Sequence, residues 1–383
     1  MADFSSVAGR ALPAWFAQPQ LGLFIHWGIF AVPAWAPRGA SITELFRTRY
    51  DEVFALAPYA EWYANALRVP GSATQARHAR VWGERTYDSF RPDFETAASA
   101  FDARAWAELF AAVGARYVVL VAKHHDGYCL WPTRVENPRR LGWRSERDFV
   151  GELADAVRAR GLRFGLYYSG GLDWTFKAEP IVDVGDMFAC MPTDADYLAY
   201  ADAQVRELID RYRPSVLWND IGWPDADGLP RLFADYYAAV PEGVVNDRWT
   251  GGGGFARAMS DPATRKAFND SLKARLSEGE VVAPPPPHCD FRTVEYGDGR
   301  GLGGRKWEST RGLGLAFGYN ANEETGDYLT GAALIELYGD VTERGGNLLI
   351  NVGPRADGSI PDAQSAPLLA LGARLGMAKG PLP

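Results

Sequence analysis

The sequence predicts an α/β chain folded as an irregular (β/α)8-like barrel, and three observations lead there. Eight short apolar or β-rich runs are spread over the 383 residues. Amphipathic helical patterns precede several of them. No glycine-rich phosphate loop follows the first run, which argues against the runner-up, an open doubly wound sheet. Near-continuous apolar runs suit parallel strands buried on both faces. Alternating strand and helix implies a parallel sheet, and eight strands with a closing helix point to a barrel.

The expected strands are "LGLFIHWG" (21–28), "YVVLVAKH" (117–124), "RFGLYYS" (163–169) and "SVLWND" (215–220), followed by "VVNDRW" (244–249), "FRTVEY" (291–296), "LAFGYN" (315–320) and "NLLINVG" (347–353). Helices are expected where apolar residues share a face: Trp106, Leu109, Phe110 and Val113; Val150, Leu153, Ala154 and Val157; Val205, Leu208, Ile209 and Tyr212; Leu334, Leu337, Tyr338 and Val341. Gly114 and Gly161 stand where the first two should end. A last helix is expected around 362–377.

The regularity breaks in three places. A long connection separates the first two strands. The stretch "GDGRGLGGRKWESTRG" reads as loop. An insertion spans 250–290, opening with "TGGGG" and closing with the stiff "PPPP" at 284–287. Between them a helix is expected after Asp261-Pro262, with Phe268, Leu272 and Leu276 on one side. The whole of 1–383 reads as one barrel domain, with the insertion lying over its mouth.

The net charge of −8 argues against a general binder of nucleic acid or anionic membrane. Three widely spaced cysteines without a CxxC suggest neither a disulfide framework nor a zinc site. No apolar stretch is long enough to span a bilayer, and the N-terminus lacks the pattern of a signal peptide. A cytoplasmic location is the expectation. Thirteen Trp, 17 Tyr and 19 Phe fit a large core or a cleft lined with flat rings.

Barrel enzymes place their chemistry at the C-terminal ends of the strands. The polar residues expected there are His26, His124, His125, Tyr168, Asp220, Arg248, Glu295 and Asn351. Side chains alternate along a strand, so Phe24 pairs with His26, Trp218 with Asp220 and Asn246 with Arg248. The plainer alternatives are a core histidine at 26, a polar turn in "KHHDG", an ion pair of Arg248 with Asp247, and a core role for one of Tyr167 and Tyr168. Together, however, two carboxylates on a concave aromatic site suggest glycoside hydrolysis. One must be ionised and the other protonated, and environment sets that split. Arg248 or the histidines would supply the positive field, and neutral histidines would donate to sugar hydroxyls.

A metal-dependent hydrolase is the enzymatic rival. There is no HxH or HExxH, and adjacent His124 and His125 should point opposite ways on a regular strand. The sequence thus argues against the metal-dependent reading. A non-catalytic sugar-binding barrel is the alternative of another class; it would bind sugar yet tolerate loss of Asp220 and Glu295.

The segments "LGLFIHWGIFAVPAW", "YAEWY", "KHHDGYCLWPT", "GLRFGLYYSGGLDW", "VLWNDIGWP", "VNDRW", "HCDFRTVEY", "KWESTRGLGLAFGYN" and "GGNLLINVGP" together resemble glycoside hydrolase family 29, the α-L-fucosidases, from about residue 14 to 372. The resemblance implies retaining exo-hydrolysis of terminal α-L-fucosides through a covalent glycosyl-enzyme, without metal or cofactor. It implies Asp220 as nucleophile and Glu295 as the acid/base of the bacterial branch. It implies His26, Glu61, Trp62, His124, His125, Tyr168, Trp218 and Arg248 as fucose-binding residues, with Phe24 and Phe317 around the C5 methyl. The implied partner is a fucosylated glycan. Family members usually carry a β-sandwich after the barrel; it is expected to be absent here, which would leave room for a homo-oligomer.

Overall fold

The computed structural model describes residues 3–249, 252–278, 286–302 and 304–377. Seven of the eight expected runs become strands: β1 Leu21–Ile25, β2 Tyr117–Lys123, β3 Arg163–Ser169, β4 Val216–Asp220, β5 Val244–Val245, β6 Arg292–Glu295 and β8 Asn347–Val352. The exception is the seventh. β7 is Trp307–Gly312, inside the stretch expected to be loop, and 315–320 is a connection. The glycines around "GDGRGLGG" hid the strand, because only its second half, "WESTRG", carries β-forming side chains.

All ladders are parallel, in the order β5-β4-β3-β2-β1-β8-β7-β6. Among the described residues no ladder joins β5 to β6. Acidic side chains bridge that seam instead. The Asp290 N–H donates to the Val245 carbonyl (3.0 Å), and the Val245 N–H donates to Asp290 Oδ2 (2.8 Å). The Thr293 N–H donates to Asp247 Oδ1 (3.0 Å), so the edge backbone is satisfied without a strand partner. These bonds draw together the two edges of a sheet curled into an irregular, TIM-like half-barrel.

Rings fill its interior: Phe24, Tyr117, Tyr167 and Trp218, with Val119, Val121, Val216, Val244 and Leu349. Phe16, from the short helix Ala14–Ala17, packs beneath against Tyr117 and Phe291. Tyr117 lies across Gly22, where a Cβ would stand 2.3 Å from its ring. The alternate residues of β3, namely Phe164, Leu166 and Tyr168, belong to the outer core between sheet and helices.

The expected helices form, at Ala103–Ala112, Phe149–Ala159, Ala195–Tyr212, Gly331–Glu343 and Asp362–Arg374. Asp102, Asp148, Asp194 and Thr330 cap the first four by accepting from free backbone N–H groups. No described helix is long and apolar enough to cross a membrane.

In the insertion, the helix expected after Asp261 is Pro262–Glu278, preceded by Gly252–Met259. The expected "TGGGG" turn and the tetraproline lie partly outside the described residues. Phe268, Leu272 and Leu276 do share the packed side, but the long helix is otherwise largely exposed.

Candidate active site

A cavity of about 230 Å³ opens at the C-terminal ends of the strands. Its lining includes eleven of the twelve residues expected at the site: Phe24, His26, Glu61, Trp62, His124, His125, Trp218, Asp220, Arg248, Glu295 and Phe317. Asp220 is the last residue of β4 and Glu295 the last of β6. Glu61 and Trp62 come from the connection after β1, far from any strand end.

Arg248 organises the two carboxylates. Its Nη1 donates to Asp220 Oδ1 (2.8 Å) and its Nη2 to Glu295 Oε2 (3.3 Å), while Nε is held by Thr293 Oγ1 (3.0 Å). The guanidinium also lies over Trp218, 5.0 Å from the ring centre. Asp220 accepts two further hydrogen bonds, from the Tyr167 hydroxyl to Oδ2 (2.9 Å) and from the Ile221 N–H to Oδ1 (2.9 Å). Burial pushes the Asp220 carboxyl up, but the Arg248 charge and these bonds outweigh it and hold the group below its ordinary 3.8. His125 is itself neutral above pH about 3, so the cation that stabilises this carboxylate is Arg248.

Glu295 is in a different setting. Its side chain is 30 % exposed against 13 % for Asp220, which places it nearer the mouth. The Tyr59 hydroxyl donates to its Oε1 (2.6 Å). Each carboxylate is followed by a non-glycine residue in the left-handed region, Ile221 (φ 65°) and Tyr296 (φ 54°). Such turns cost about 1–3 kcal/mol each, and they swing the chain away from the strand so that the acid is left at its tip.

The cavity histidines are neutral, and two of them are acceptors. His26 Nδ1–H donates to Asn351 Oδ1 (2.6 Å), and the Asn351 amide is fixed because its Nδ2 donates to the Phe317 carbonyl (2.6 Å). His125 Nδ1–H donates to Ser169 Oγ (2.6 Å), whose own hydroxyl donates to the Leu172 carbonyl (2.6 Å). Both rings therefore keep Nε2 as an acceptor. Burial lowers the pKa of His26 to about 4 and of His125 to about 3. Burial, then the neighbouring His125 and His26, drive His124 well below 6.5. The expectation that these rings donate to a ligand is thus reversed for His26 and His125: their single proton is already used.

Three expectations do not hold geometrically. Tyr168 is not in the cavity. It faces outward from β3, donates to Gln204 Oε1 (2.9 Å) and lies over Lys123, which pairs with Asp173 (2.7 Å). Tyr167 is the ring in the cavity, stacked 5.4 Å from Trp218. Gly165, two residues earlier, packs against Val119 and Val216 inside the barrel, and parity from it selects Tyr167. Asn246 does not accompany Arg248 into the cavity. β5 ends at Val245, and the Asn246 side chain instead bonds the backbone of Asn219 (Oδ1 3.0 Å, Nδ2 2.8 Å). Finally, His124 and His125 do not diverge. The register slips between Val121 and Lys123, the strand ends there, and the two rings lie 4.1 Å apart in the same cavity.

Tyr59, Tyr167, Ile221 and Thr310 were missed. The Thr310 hydroxyl, buried in β7 beside Glu295 in register, lines the cavity and has no hydrogen-bond partner among the described residues; the same holds for His124 Nδ1. None of the four had a usable signal in the sequence alone, since the parity that selects Tyr167 is anchored by the neighbours of Gly165 in the folded chain.

Glu61 is 2 % exposed and accepts from the Gly318 N–H (2.8 Å). Burial raises its pKa to about 8 despite that bond. Between pH 4.5 and about 8 the folded state keeps a proton that the unfolded chain has released. Rising pH therefore favours unfolding, by up to about 1.4 kcal/mol per pH unit, fully developed above about 8. Glu61→Gln removes this penalty. Relative to the unsubstituted protein, the variant's Tm is expected to improve from pH 5 to pH 8.5 in thermal melts. A Tm difference that stays constant over that range would contradict a raised pKa at Glu61.

Proteins of known kind resemble this chain over nearly its whole length. The family model described as Alpha-L-fucosidase matches residues 1–378. The tissue α-L-fucosidase of Bos taurus is 31% identical over 97% of this chain and 68% of its own length. A Dictyostelium discoideum α-L-fucosidase is 29% identical over 96% of the chain and 71% of its own. Among solved structures, the Thermotoga maritima α-fucosidase in complex with fucose is 42% identical with a TM-score of 0.79, covering 98% of this chain and 76% of that one. The Thermotoga maritima α-L-fucosynthase bound to α-L-Fuc-(1-2)-β-L-Fuc-N3 is 42% identical with a TM-score of 0.82, over the same shares. With the family model matching residues 1–378 and these relatives across nearly its whole length, the chain belongs to the α-L-fucosidase family of glycoside hydrolases.

Proposed function

We propose that the chain is a retaining exo-α-L-fucosidase acting on terminal α-L-fucosides. The observation that carries this reading is the shared guanidinium of Arg248, which places Asp220 and Glu295 on one cavity in unlike environments. Asp220, kept ionised, attacks the anomeric carbon as the bond to the leaving oxygen breaks. Glu295, at the mouth, delivers its proton to that oxygen, so the leaving group departs as a neutral alcohol. Glu295 then takes a proton from water, whose oxygen displaces Asp220 from the anomeric carbon and frees fucose with retained configuration.

The small cavity suits one sugar ring. The Nε2 atoms of His26 and His125 accept from hydroxyls, and protonated Glu61 donates to one. Phe24 and Phe317 face the C5 methyl, with an apolar group worth about 1–3 kcal/mol in selecting a 6-deoxy sugar. Tyr167, rather than Tyr168, completes the set. The fucose held by the Thermotoga relative is consistent with this assignment.

The reading is tested with a panel of aryl glycosides: α-L-fucoside, β-D-galactoside and α-L-rhamnoside. Turnover of the fucoside alone, with α-L-fucose as the first product seen by NMR, is expected. First release of the β-anomer would refute retention, and activity on none would favour a sugar-binding protein. Tyr167→Phe, which deletes one hydrogen bond to a charged nucleophile, is expected to lower kcat/KM about ten- to a hundredfold. Tyr168→Phe, remote from the cavity, should leave it within about twofold.

A further inference from the structure

Between the polar floor of the cavity and solvent stand Ile42 and Phe46, on the helix Ile42–Thr48, and Met187, on the helix Val184–Ala189. Phe54 and Ile221 add to this apolar lining. Phe46 and Met187 are partly exposed, whereas the floor residues His26, His125 and Trp218 are buried. None of the five wall side chains carries a hydrogen-bonding group. A second sugar at this level would meet no donor or acceptor from them.

The two rim helices come from different connections, after β1 and after β3, and the insertion ties them together. Asn269, on the helix Pro262–Glu278, accepts at Oδ1 from the Tyr50 hydroxyl (2.9 Å) and from the Gly185 N–H (2.9 Å). Tyr50 lies just past the first rim helix, and Gly185 is in the second. Arg265 adds an ion pair to Asp186 (3.3 Å), Lys273 one to Asp51, and Phe268 packs near Phe188 (6.1 Å). A single inserted helix thus sets the distance between the walls.

Resting on the reading that a fucoside is the substrate, we propose that Ile42, Phe46 and Met187 form an aglycone subsite for an aryl or alkyl group, its width fixed by the insertion through Asn269. Glu295 is the more exposed carboxyl, and the leaving oxygen it protonates must continue into the mouth past these side chains.

The test is calorimetric binding of methyl and hexyl 1-thio-α-L-fucosides, whose sulfur linkage resists hydrolysis. In the unsubstituted protein the hexyl compound is expected to bind about tenfold tighter or more. In the doubly substituted Phe46→Ser, Met187→Ser protein the ratio is expected to fall to within about twofold of unity, and in Asn269→Ala to fall severalfold. Equal affinities in the unsubstituted protein would overturn the subsite while leaving the fucoside reading intact. A preference that survives the double substitution would overturn its location. Failure of both compounds and of free fucose to bind would overturn the fucoside reading itself. Thermal melts identify a variant that has not folded; Phe46→Ser and Met187→Ser made singly then test the location, each expected to lower the ratio, and a ratio unchanged in both overturns it.

Discussion

Replacing Asp220 with asparagine is expected to lower kcat for an aryl α-L-fucoside by roughly three to five orders of magnitude. The side chain keeps its size, its one oxygen can still accept from the Ile221 N–H and its amide NH2 can donate to the Tyr167 hydroxyl, so folding should be little affected. What is lost is the negative charge facing Arg248 and the nucleophilic oxygen itself. The loss is therefore expected in kcat more than in KM, because the neutral amide still fills the site. Azide should not rescue Asp220→Asn, whose side chain blocks its approach. In Asp220→Gly the anion has both room and the Arg248 charge, and formation of β-L-fucosyl azide is expected. Near-normal turnover in Asp220→Asn would remove this residue from the mechanism.

Glu295→Gln is expected to discriminate between leaving groups. A nitrophenolate leaves without a proton, so its departure should slow little, although hydrolysis of the intermediate also loses its base. An alkyl or sugar alkoxide needs the proton, and kcat/KM for such fucosides is expected to fall about 10²–10⁴-fold. A plot of log kcat/KM against leaving-group pKa should therefore steepen. An unchanged slope would assign the proton to another group; Glu61, also on the cavity and protonated near neutral pH, would be the next to test. The two variants complement each other, since a nucleophile variant fails on every fucoside and an acid variant fails in proportion to leaving-group basicity.

Much of this was legible in the chain. Strand ends in apolar runs are visible because buried parallel strands have no room for polar side chains until they emerge. His26, Asp220 and Glu295 could thus be placed from local pattern alone. The errors came where local pattern and three-dimensional register part. Tyr167 and Tyr168 are both apolar-compatible, and only the neighbours of Gly165 show which one faces inward. A register slip at the end of β2 turns His124 and His125 into the same cavity, a displacement that no rule of alternation contains. Glu61 and Trp62 were found only through family resemblance, because a long connection carries no periodicity to locate them.

The sequence by itself determined the class of fold, the placing of Asp220 and Glu295 at strand ends and the aromatic character of the cleft, because each depends on hydrophobic pattern or on residues adjacent in the chain. Tertiary structure alone decided that one guanidinium joins Asp220 to Glu295, that His26 and His125 accept rather than donate, and that the inserted helix ties two distant connections at the rim. Those outcomes depend on distances and hydrogen-bond directions between residues far apart along the chain, and such geometry exists only once the sheet has curled.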